Sequence, residues 1–136
     1  MSVRVIRVVA AAIVRGGEVL AARRSDSGLW EFPGGKVEAG ETDQQALARE
    51  LEEELGCAVM IGACLGSTRH KTSSRIVNLH VYLGERPQPE PVNREHLALR
   101  WVGADELESL QWSKADIPFL PVIAGILRQR SESGAR

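Results

Sequence analysis

The residues best suited to chemistry are four glutamates that lie close together in the chain. At helical spacing Glu50, Glu53 and Glu54 share one face, and Glu52 lies between them. Like charges at this spacing repel, and Gly56 places them in the last turns of the helix, where the helix dipole already disfavours negative charge. Both costs vanish if a divalent cation binds among them, because Mg²⁺ prefers oxygen ligands and commonly binds carboxylates together with substrate phosphates. A solvated acidic face is the competing interpretation.

The flanking residues favour ligand binding and define the helix. Gly34 and Gly35 allow the backbone to approach a ligand closely, and Lys36 supplies a point charge for phosphate. Thr42, with Gln45 three residues later, matches a capping box, so the helix is predicted to begin there. Apolar residues recur every fourth position on an adjacent face, at Leu47, Leu51 and Leu55. One side of the helix is therefore expected to face the core and another to face ions.

The segment from Gly35 to Cys57, which covers 23 of the 136 residues, resembles the Nudix box that marks Nudix hydrolases. The matching residues are Gly35, Glu41, Arg49, Glu50, Leu51, Glu53, Glu54 and Gly56. Cys57 stands where the pattern has an aliphatic residue, and cysteine behaves as a small hydrophobe. The resemblance implies an α/β protein with the Nudix fold, an α/β/α sandwich with a mixed central sheet. It also implies hydrolysis of a nucleoside diphosphate linked to another group, with Mg²⁺ or alternatively Mn²⁺ as cofactor.

The resemblance also implies the residues of a metal site. The expected ligands are the Gly34 carbonyl and the side chains of Glu50, Glu53, Glu54 and Glu95. Catalytic roles fall to Glu50, Glu53 and Glu95, with Glu50 favoured as the base that accepts the proton of water. Glu95 is the alternative base, on a loop that could move when substrate binds, and an exposed loop glutamate is its competing interpretation. Glu41 and Arg49 are expected to form a structural ion pair.

The expected substrate-binding residues are Arg24, Phe32, Lys36, Arg75 and Asp116. For the two arginines, a solvated side chain at a strand end is the competing interpretation. Asp116 corresponds to a position where MutT itself uses an asparagine to bind the base. An ionised aspartate only accepts hydrogen bonds, so it suits an exocyclic amine such as cytosine N4. A helix cap is the alternative role for Asp116. Phe32 and His80 could flank a base, with core packing as the competing interpretation.

These features are similar to the bacterial CTP pyrophosphohydrolase branch of the MutT type. The expected enzyme is a nucleoside triphosphate pyrophosphohydrolase that releases a nucleoside monophosphate and pyrophosphate, acting on cytosine nucleotides such as CTP, dCTP and modified dCTP. Removal of 8-oxo-dGTP is the alternative. A non-catalytic nucleotide-binding regulatory domain is a third possibility, but such domains usually lose the acids of the box, and this chain retains them.

Composition indicates one globular unit, since 43% of the residues are hydrophobic and 26% are charged. A single domain over residues 1–130 and a disordered tail over 131–136 are expected. The formal net charge of −1 gives no field for a nucleic acid polymer or a membrane surface, so the expected partner is a nucleoside triphosphate. The two cysteines, Cys57 and Cys64, are expected to be thiols, which favours a cytoplasmic protein. A monomer or homodimer is expected.

Periodicity and turn residues predict the remaining elements. Apolar alternation and a Gly16-Gly17 turn indicate a hairpin at the start of the chain. Strands are predicted over residues 3–14, 19–23, 58–67, 75–84 and 97–102. A short helix is predicted over residues 104–110. A longer helix, with Asp116 as an N-cap, is predicted to run from residue 117 to about residue 128.

Overall fold

A computed structural model describes residues 3–133 of the chain. Within these residues the strands are β1 (Arg4–Arg15), β2 (Glu18–Arg23), β3 (Trp30–Glu31), β4 (Gly34–Lys36), β5 (Ala58–Lys71), β6 (Arg75–Gln88) and β7 (Ala98–Gly103). The α-helices are α1 (Asp43–Leu55) and α2 (Leu120–Ser133), and two 3₁₀ helices span Ala104–Ser109 and Ile117–Phe119. Across this described part, no helix is both long enough and apolar enough to cross a membrane.

The strands form one mixed sheet with β1 at its centre. Strand β1 runs parallel to β6 and antiparallel to β2 and β4. Strand β5 extends the sheet beyond β6, and both β3 and β7 pair with β2. The pairing of β4 with β1 places Gly34 opposite Ala10 and Gly35 opposite Val9. The central strand therefore holds the glycine loop at a fixed position, and the predicted mixed sheet is confirmed.

Side chains along β1 point alternately into two cores, one on each face of the sheet. Val9 and Ile13 pack against one face of α1, which contributes the fully buried Leu47, Leu51 and Leu55. Ala12 lies in the opposite core, to which α2 contributes Ile123 and Leu127. The two helices thus cover opposite faces of the sheet, and the predicted α/β/α sandwich is confirmed.

Helix α1 begins and ends as its sequence predicts. Thr42 Oγ1 accepts a hydrogen bond from the Gln45 backbone N–H at 3.1 Å, and Gln45 Oε1 accepts one from the Thr42 N–H at 2.9 Å. Gly56 adopts a left-handed conformation with φ of 61°, which glycine enters without steric cost, and its N–H donates to the Glu52 carbonyl. These caps fix the register of the helix, and hence the direction of its acidic face.

Several boundaries differ from the sequence predictions. Strands β5 and β6 are longer than expected, because β5 continues to Lys71, which pairs with Ile76, and β6 continues to Gln88, which pairs with Ala58. The segment Ala104–Ser109 is 3₁₀ rather than α-helical. Helix α2 continues to Ser133, so the predicted disorder is wrong for residues 131–133, while residues 134–136 lie outside the described part.

Candidate active site

The predicted site residues can be located on the wall of one cleft of about 820 Å³. Its floor is apolar and comes from β1 and β6, at Ile6, Val8, Val77 and Leu79. The wall includes nearly all the residues expected from the sequence: Arg24, Phe32, Gly34, Lys36, Glu50, Glu54, Arg75, Glu95 and Asp116. Glu53 does not line the cleft, and its side chain is half exposed. The fold therefore gathers residues from across the sequence, with one acid of the box left outside.

Gly34 and Gly35 are required by close packing rather than by flexibility. A Cβ at position 34 would lie 2.0 Å from the Val9 carbonyl oxygen, which is backbone and cannot yield. A Cβ at position 35 would lie 2.4 Å from Cδ of Glu50, so the space beside Gly35 is filled by that carboxyl group. The two adjacent glycines thus serve different purposes, one for the sheet and one for the site.

Arg49 holds the acidic loop and the helix together. Its Nε and Nη2 donate to the two carboxylate oxygens of Glu41 at 2.7 and 2.8 Å, which confirms the predicted ion pair. Its Nη1 donates to Glu50 Oε2 at 2.8 Å, and its Nη2 also donates to the Lys36 carbonyl at 3.0 Å. The bond from Arg49 lowers the pKa of Glu41 to about 2, so this acid stays ionised. Part of the negative charge of the box is therefore neutralised within the protein, and Glu50 is held beside Gly35.

Glu54 is the acid that lacks compensation. Only 4% of the residue is exposed, and its Oε1 has no hydrogen-bond partner. Burial raises the pKa of Glu54 well above its ordinary value, and the hydrogen bond and charge of Glu50, with the charges of Glu31 and Glu95, act in the same direction. A divalent cation at this position would supply the missing positive charge, and an all-oxygen donor set suits such an ion.

The carboxylates do not converge on one point in the structure. Among residues 3–133, no three His, Cys, Asp or Glu side chains are grouped as a metal site would require. Glu50 accepts a hydrogen bond from Arg49, Glu53 Oε2 lies 3.5 Å from the same guanidinium, and Glu54 Oε1 lies 3.7 Å from His96 Nε2. Glu50 and Glu54 are nonetheless within hydrogen-bonding reach of each other, so these two acids are the pair best placed to share a cation.

Residues 92–97, which include Glu95, are hydrogen-bonded to the end of α1. The backbone N–H groups of Val92 and Arg94 donate to the carbonyls of Leu55 and Glu54, at 2.8 and 3.1 Å. Arg94 Nη1 donates to the Glu52 carbonyl at 3.0 Å, where a cation is favoured by the helix dipole. The expectation of a mobile loop at Glu95 is therefore not supported, although the Glu95 side chain itself is exposed.

Asp116 reaches the cleft from the far end of the chain. Its Oδ2 accepts a hydrogen bond from the Phe32 backbone N–H at 3.0 Å, and only 5% of the residue is exposed. Burial raises the pKa of Asp116 to about 7, against the lowering effect of the Phe32 bond. Asp116 is the N-cap residue of the following 3₁₀ helix, as predicted, but its side chain makes no cap hydrogen bond to that helix. Phe32 packs on Trp112 with ring centroids 4.7 Å apart, so it supports the wall as well as lining it.

Other polar residues of the cleft were missed or misplaced by sequence reasoning. Four further polar residues line the wall: Glu31, His70, His96 and Lys114. They belong to no local motif. The only sequence signal for any of them is that His96 directly follows Glu95. His80 is on the opposite face of β6 from Leu79, where the charges of Arg7 and Asp43 act on it, so the idea that it flanks a base is wrong.

Comparison with known proteins identifies the family of this chain. The NUDIX domain family matches residues 4–123. The CTP pyrophosphohydrolase of Escherichia coli is 39% identical over 131 residues, which cover 93% of this chain and 97% of that protein. The 8-oxo-dGTP diphosphatase of the same organism is 33% identical over 90 residues, or 66% of this chain and 70% of that protein. The solution structure of the E. coli ORF135 protein superposes with a TM-score of 0.83 at 40% identity, covering 91% of each chain. Nudix hydrolases generally need a divalent metal. The match over residues 4–123 shows that this chain belongs to the Nudix hydrolase family.

Proposed function

We propose that the protein is a divalent-metal-dependent nucleoside triphosphate pyrophosphohydrolase that releases a nucleoside monophosphate and pyrophosphate. The observation that carries this proposal is the shared cleft, which contains both the acids of the Nudix box and the buried acceptor Asp116. A phosphate chain bound near the acids would leave the base within the same cavity. The similarity to relatives named CTP pyrophosphohydrolase and 8-oxo-dGTP diphosphatase supports the same reaction class.

Glu50, Glu54 and Glu95 would hold the cation, together with the Gly34 carbonyl. We propose Mg²⁺ as the resident ion, with Mn²⁺ as a functional substitute. When bound, such an ion neutralises phosphate charge and lowers the pKa of a bound water. Glu53 does not line the cleft, and its Oε2 lies 3.5 Å from Arg49 Nη1. Its proposed role is to neutralise the charge of that guanidinium beside the cation ligands.

Cations on the wall would bind the phosphate chain. Lys36 is exposed next to Gly35, and Arg75 stands at the start of β6. Arg24 is already engaged by Asp26 at 2.8 Å and lies 3.5 Å from Glu31, so it is oriented before any substrate binds. Because the chain has a formal net charge of only −1, these local charges rather than a long-range field would attract the polyanion.

The nucleobase is proposed to be cytosine. Asp116 is held by the Phe32 N–H through Oδ2, and ionised Asp116 would accept a hydrogen bond from the cytosine N4 amine. One observation favours 8-oxo-dGTP as a second candidate. With a pKa of about 7, Asp116 is also protonated in part near neutrality, and the protonated form can donate to a purine carbonyl.

Glu50 is proposed as the general base as well as a cation ligand. Its carboxylate is fixed between Arg49 and Gly35, whereas the Glu95 side chain is exposed on a fastened segment. Comparing pH–rate profiles of Glu50→Gln and Glu95→Gln separates the two. If only Glu95→Gln abolishes chemistry while Glu50→Gln merely raises the Mg²⁺ requirement, the two roles must be exchanged.

The test is a screen for pyrophosphate release over common and damaged nucleoside triphosphates with Mg²⁺. The expected result is cleavage at the α–β linkage, with CTP, dCTP or modified dCTP giving the highest kcat/KM and 8-oxo-dGTP next. Glu54→Gln serves as the matched inactive control, because it keeps the size of the buried side chain. Release of inorganic phosphate instead of pyrophosphate, or no cleavage of any nucleotide, would overturn the proposal.

A further inference from the structure

His96 is a cleft residue that the Nudix box does not contain. Its side chain is only 7% exposed, and its Nε2 lies 3.0 Å from Glu31 Oε2 and 3.7 Å from Glu54 Oε1. Glu31 belongs to β3 and Glu54 to α1, so the imidazole stands between carboxylates from two separate elements. The second ring nitrogen, Nδ1, is buried without a hydrogen-bond partner. The ring is thus placed for the contacts of Nε2, at some cost to Nδ1.

The backbone around His96 leaves the ring little freedom. The His96 N–H donates to Asn93 Oδ1 at 2.9 Å, and Asn93 Nδ2 donates back to the His96 carbonyl at 2.8 Å. On one side the Arg94 N–H is bonded to α1, and on the other the Leu97 N–H donates to the Arg23 carbonyl of β2 at 2.9 Å. The loop is therefore fixed to two elements, and a buried ring on such a loop has a defined position.

The imidazole of His96 separates the carboxyl groups of Glu31 and Glu54. Glu54 Oε1 has no hydrogen bond, and the charge of Glu31 adds to the raised pKa of Glu54, so the two acids repel. Because an ionised carboxylate only accepts hydrogen bonds, the 3.0 Å contact with Glu31 requires Nε2 to carry the proton, and Nε2 also lies 3.7 Å from Glu54 Oε1. Glu31 Oε1 also lies 3.5 Å from Arg24 Nη1, so Glu31 is held through both oxygens and in turn fixes the imidazole beside Glu54. Polar partners that orient ligating carboxylates are known to tune metal affinity.

We propose that His96 is a positioning residue that binds Glu31 and directs Glu54 towards the cation. The inference rests on the proposed function, since it assigns Glu54 to the cation site. His96 also links that site to the base site, because Glu31 and Phe32 are consecutive and the Phe32 N–H is bonded to Asp116. His96 itself touches neither substrate nor cation in this assignment.

The experiment compares His96→Leu with His96→Gln in the full-length protein. Binding of Mn²⁺ to the nucleotide-free protein is titrated by electron paramagnetic resonance, and Mg²⁺ dependence is measured by pyrophosphate release. The leucine variant, which removes the donor, is expected to weaken Mn²⁺ binding roughly tenfold or more, within the range of about 10–100-fold for loss of such partners. The glutamine variant keeps an N–H donor and should stay within about threefold of wild type, as hydrogen-bond rescue requires. His70→Leu is the matched control for Mn²⁺ binding, because His70 lines the cleft without an ion pair to Glu31 or Glu54.

Wild-type Mn²⁺ affinity in folded His96→Leu, or equal loss in the leucine and glutamine variants, would overturn the proposal. If His96→Leu fails to fold, Glu31→Ala removes the hydrogen-bond partner of His96 instead and should also weaken Mn²⁺ binding. An unchanged Mn²⁺ affinity of Glu31→Ala would overturn the proposal. The Mn²⁺ titration needs no nucleotide, so it is decided separately from the substrate screen. Should wild type bind Mn²⁺ but cleave no nucleotide, the proposed function fails while the role of His96 is still judged by the titration.

Discussion

The acidic cluster and the Asp116 site are two regions of one cleft that are built in opposite ways. The cluster comes mainly from consecutive turns of α1, and Arg49 ties it to the preceding loop through Glu41, Glu50 and Lys36. Asp116 stands alone, held by one hydrogen bond to a residue 84 positions earlier in the chain. The first region is dense in charge, whereas the second is a single buried acid on which the charges of Glu31 and Arg24 act.

This difference determines what each region can bind. Burial is the largest cause of the raised pKa of both Glu54 and Asp116, but the other groups acting on the two acids differ. Other carboxylates add to the effect of burial on Glu54, so a multiply charged cation is the complementary ligand. At Asp116 the Phe32 N–H and the charge of Arg24 oppose the effect of burial, so a single proton or one N–H donor satisfies this acid. Two acids of similar burial are therefore suited to different parts of one substrate complex.

The sharpest test of the charge-dense region is a comparison of two neighbouring acids. Glu54→Gln should lower kcat roughly a hundredfold or more, because an anionic ligand is lost and such a loss costs several kcal/mol of transition-state stabilisation. Glu53→Gln should cost less, because Glu53 is half exposed and outside the cleft wall. Rates at limiting Mg²⁺ measure both. Equal effects, or near-wild-type rates for Glu54→Gln, would contradict the assignment.

The same variant has a stability consequence of known sign. The folded-state pKa of Glu54 lies above its ordinary value of 4.5, so its stabilising contribution is complete below that pH and is lost as pH rises towards the raised value. Metal-free Glu54→Gln cannot ionise and should therefore melt at a higher temperature than wild type at pH values well above 4.5. A lower melting temperature of Glu54→Gln would show that the buried Glu54 carboxylate already has stabilising partners in the metal-free protein.

Alanine substitutions of Gly34 and Gly35 distinguish packing within the sheet from the positioning of the acidic cluster. Gly35→Ala places Cβ against the flexible end of Glu50 and should leave stability nearly unchanged while lowering kcat up to about a hundredfold, as small misplacements of catalytic groups do. Gly34→Ala meets the Val9 carbonyl and should instead destabilise the fold. Thermal melting and turnover are measured on both. Gly125→Ala, in open space on α2, is the control and should stabilise by roughly 0.5–1 kcal/mol.

Base selection tests the isolated acid. Asp116→Ala should raise KM for CTP or dCTP about ten- to a hundredfold more than for UTP, since a charge-assisted hydrogen bond is worth roughly 1.5–3 kcal/mol. Asp116→Asn can still accept from the Phe32 N–H and should shift preference towards guanine-type edges, because an amide also donates. Equal losses for CTP and UTP in the alanine variant would return Asp116 to a purely structural role.

The smallest expected effect is a pH dependence of that preference. Below its pKa of about 7, Asp116 is protonated and can donate to the uracil O4, whereas above it the carboxylate accepts from cytosine N4. The ratio of kcat/KM for CTP over UTP should therefore rise with pH through neutrality, by up to roughly tenfold for one hydrogen bond. Asp116→Asn should give a flat ratio, and a flat ratio in wild type would contradict the proposed titration.

Much of the cluster could be predicted from sequence because its physics is local. Thr42 and Gln45 form the capping box, and Gly56 ends the helix as the pattern predicts. The ion pair of Glu41 and Arg49 joins positions only eight residues apart. Helical spacing alone therefore sets the relative directions of the acids, whatever the rest of the chain does.

Tertiary structure decided what helical spacing could not. Glu54 and Glu53 are adjacent in sequence, yet one is buried in the cleft and the other is half exposed, because the docking of α1 on the sheet selects the inward face. His96 meets Glu31 across 65 positions, and Asp116 meets Phe32 across 84, so neither contact has a local signal. The sequence by itself determined the helix, its caps and the charges available for a cation. Only the packing of β3, α1 and the 92–97 segment around the central sheet decided which acids face the substrate, because burial and long-range contacts exist only once the sheet has assembled.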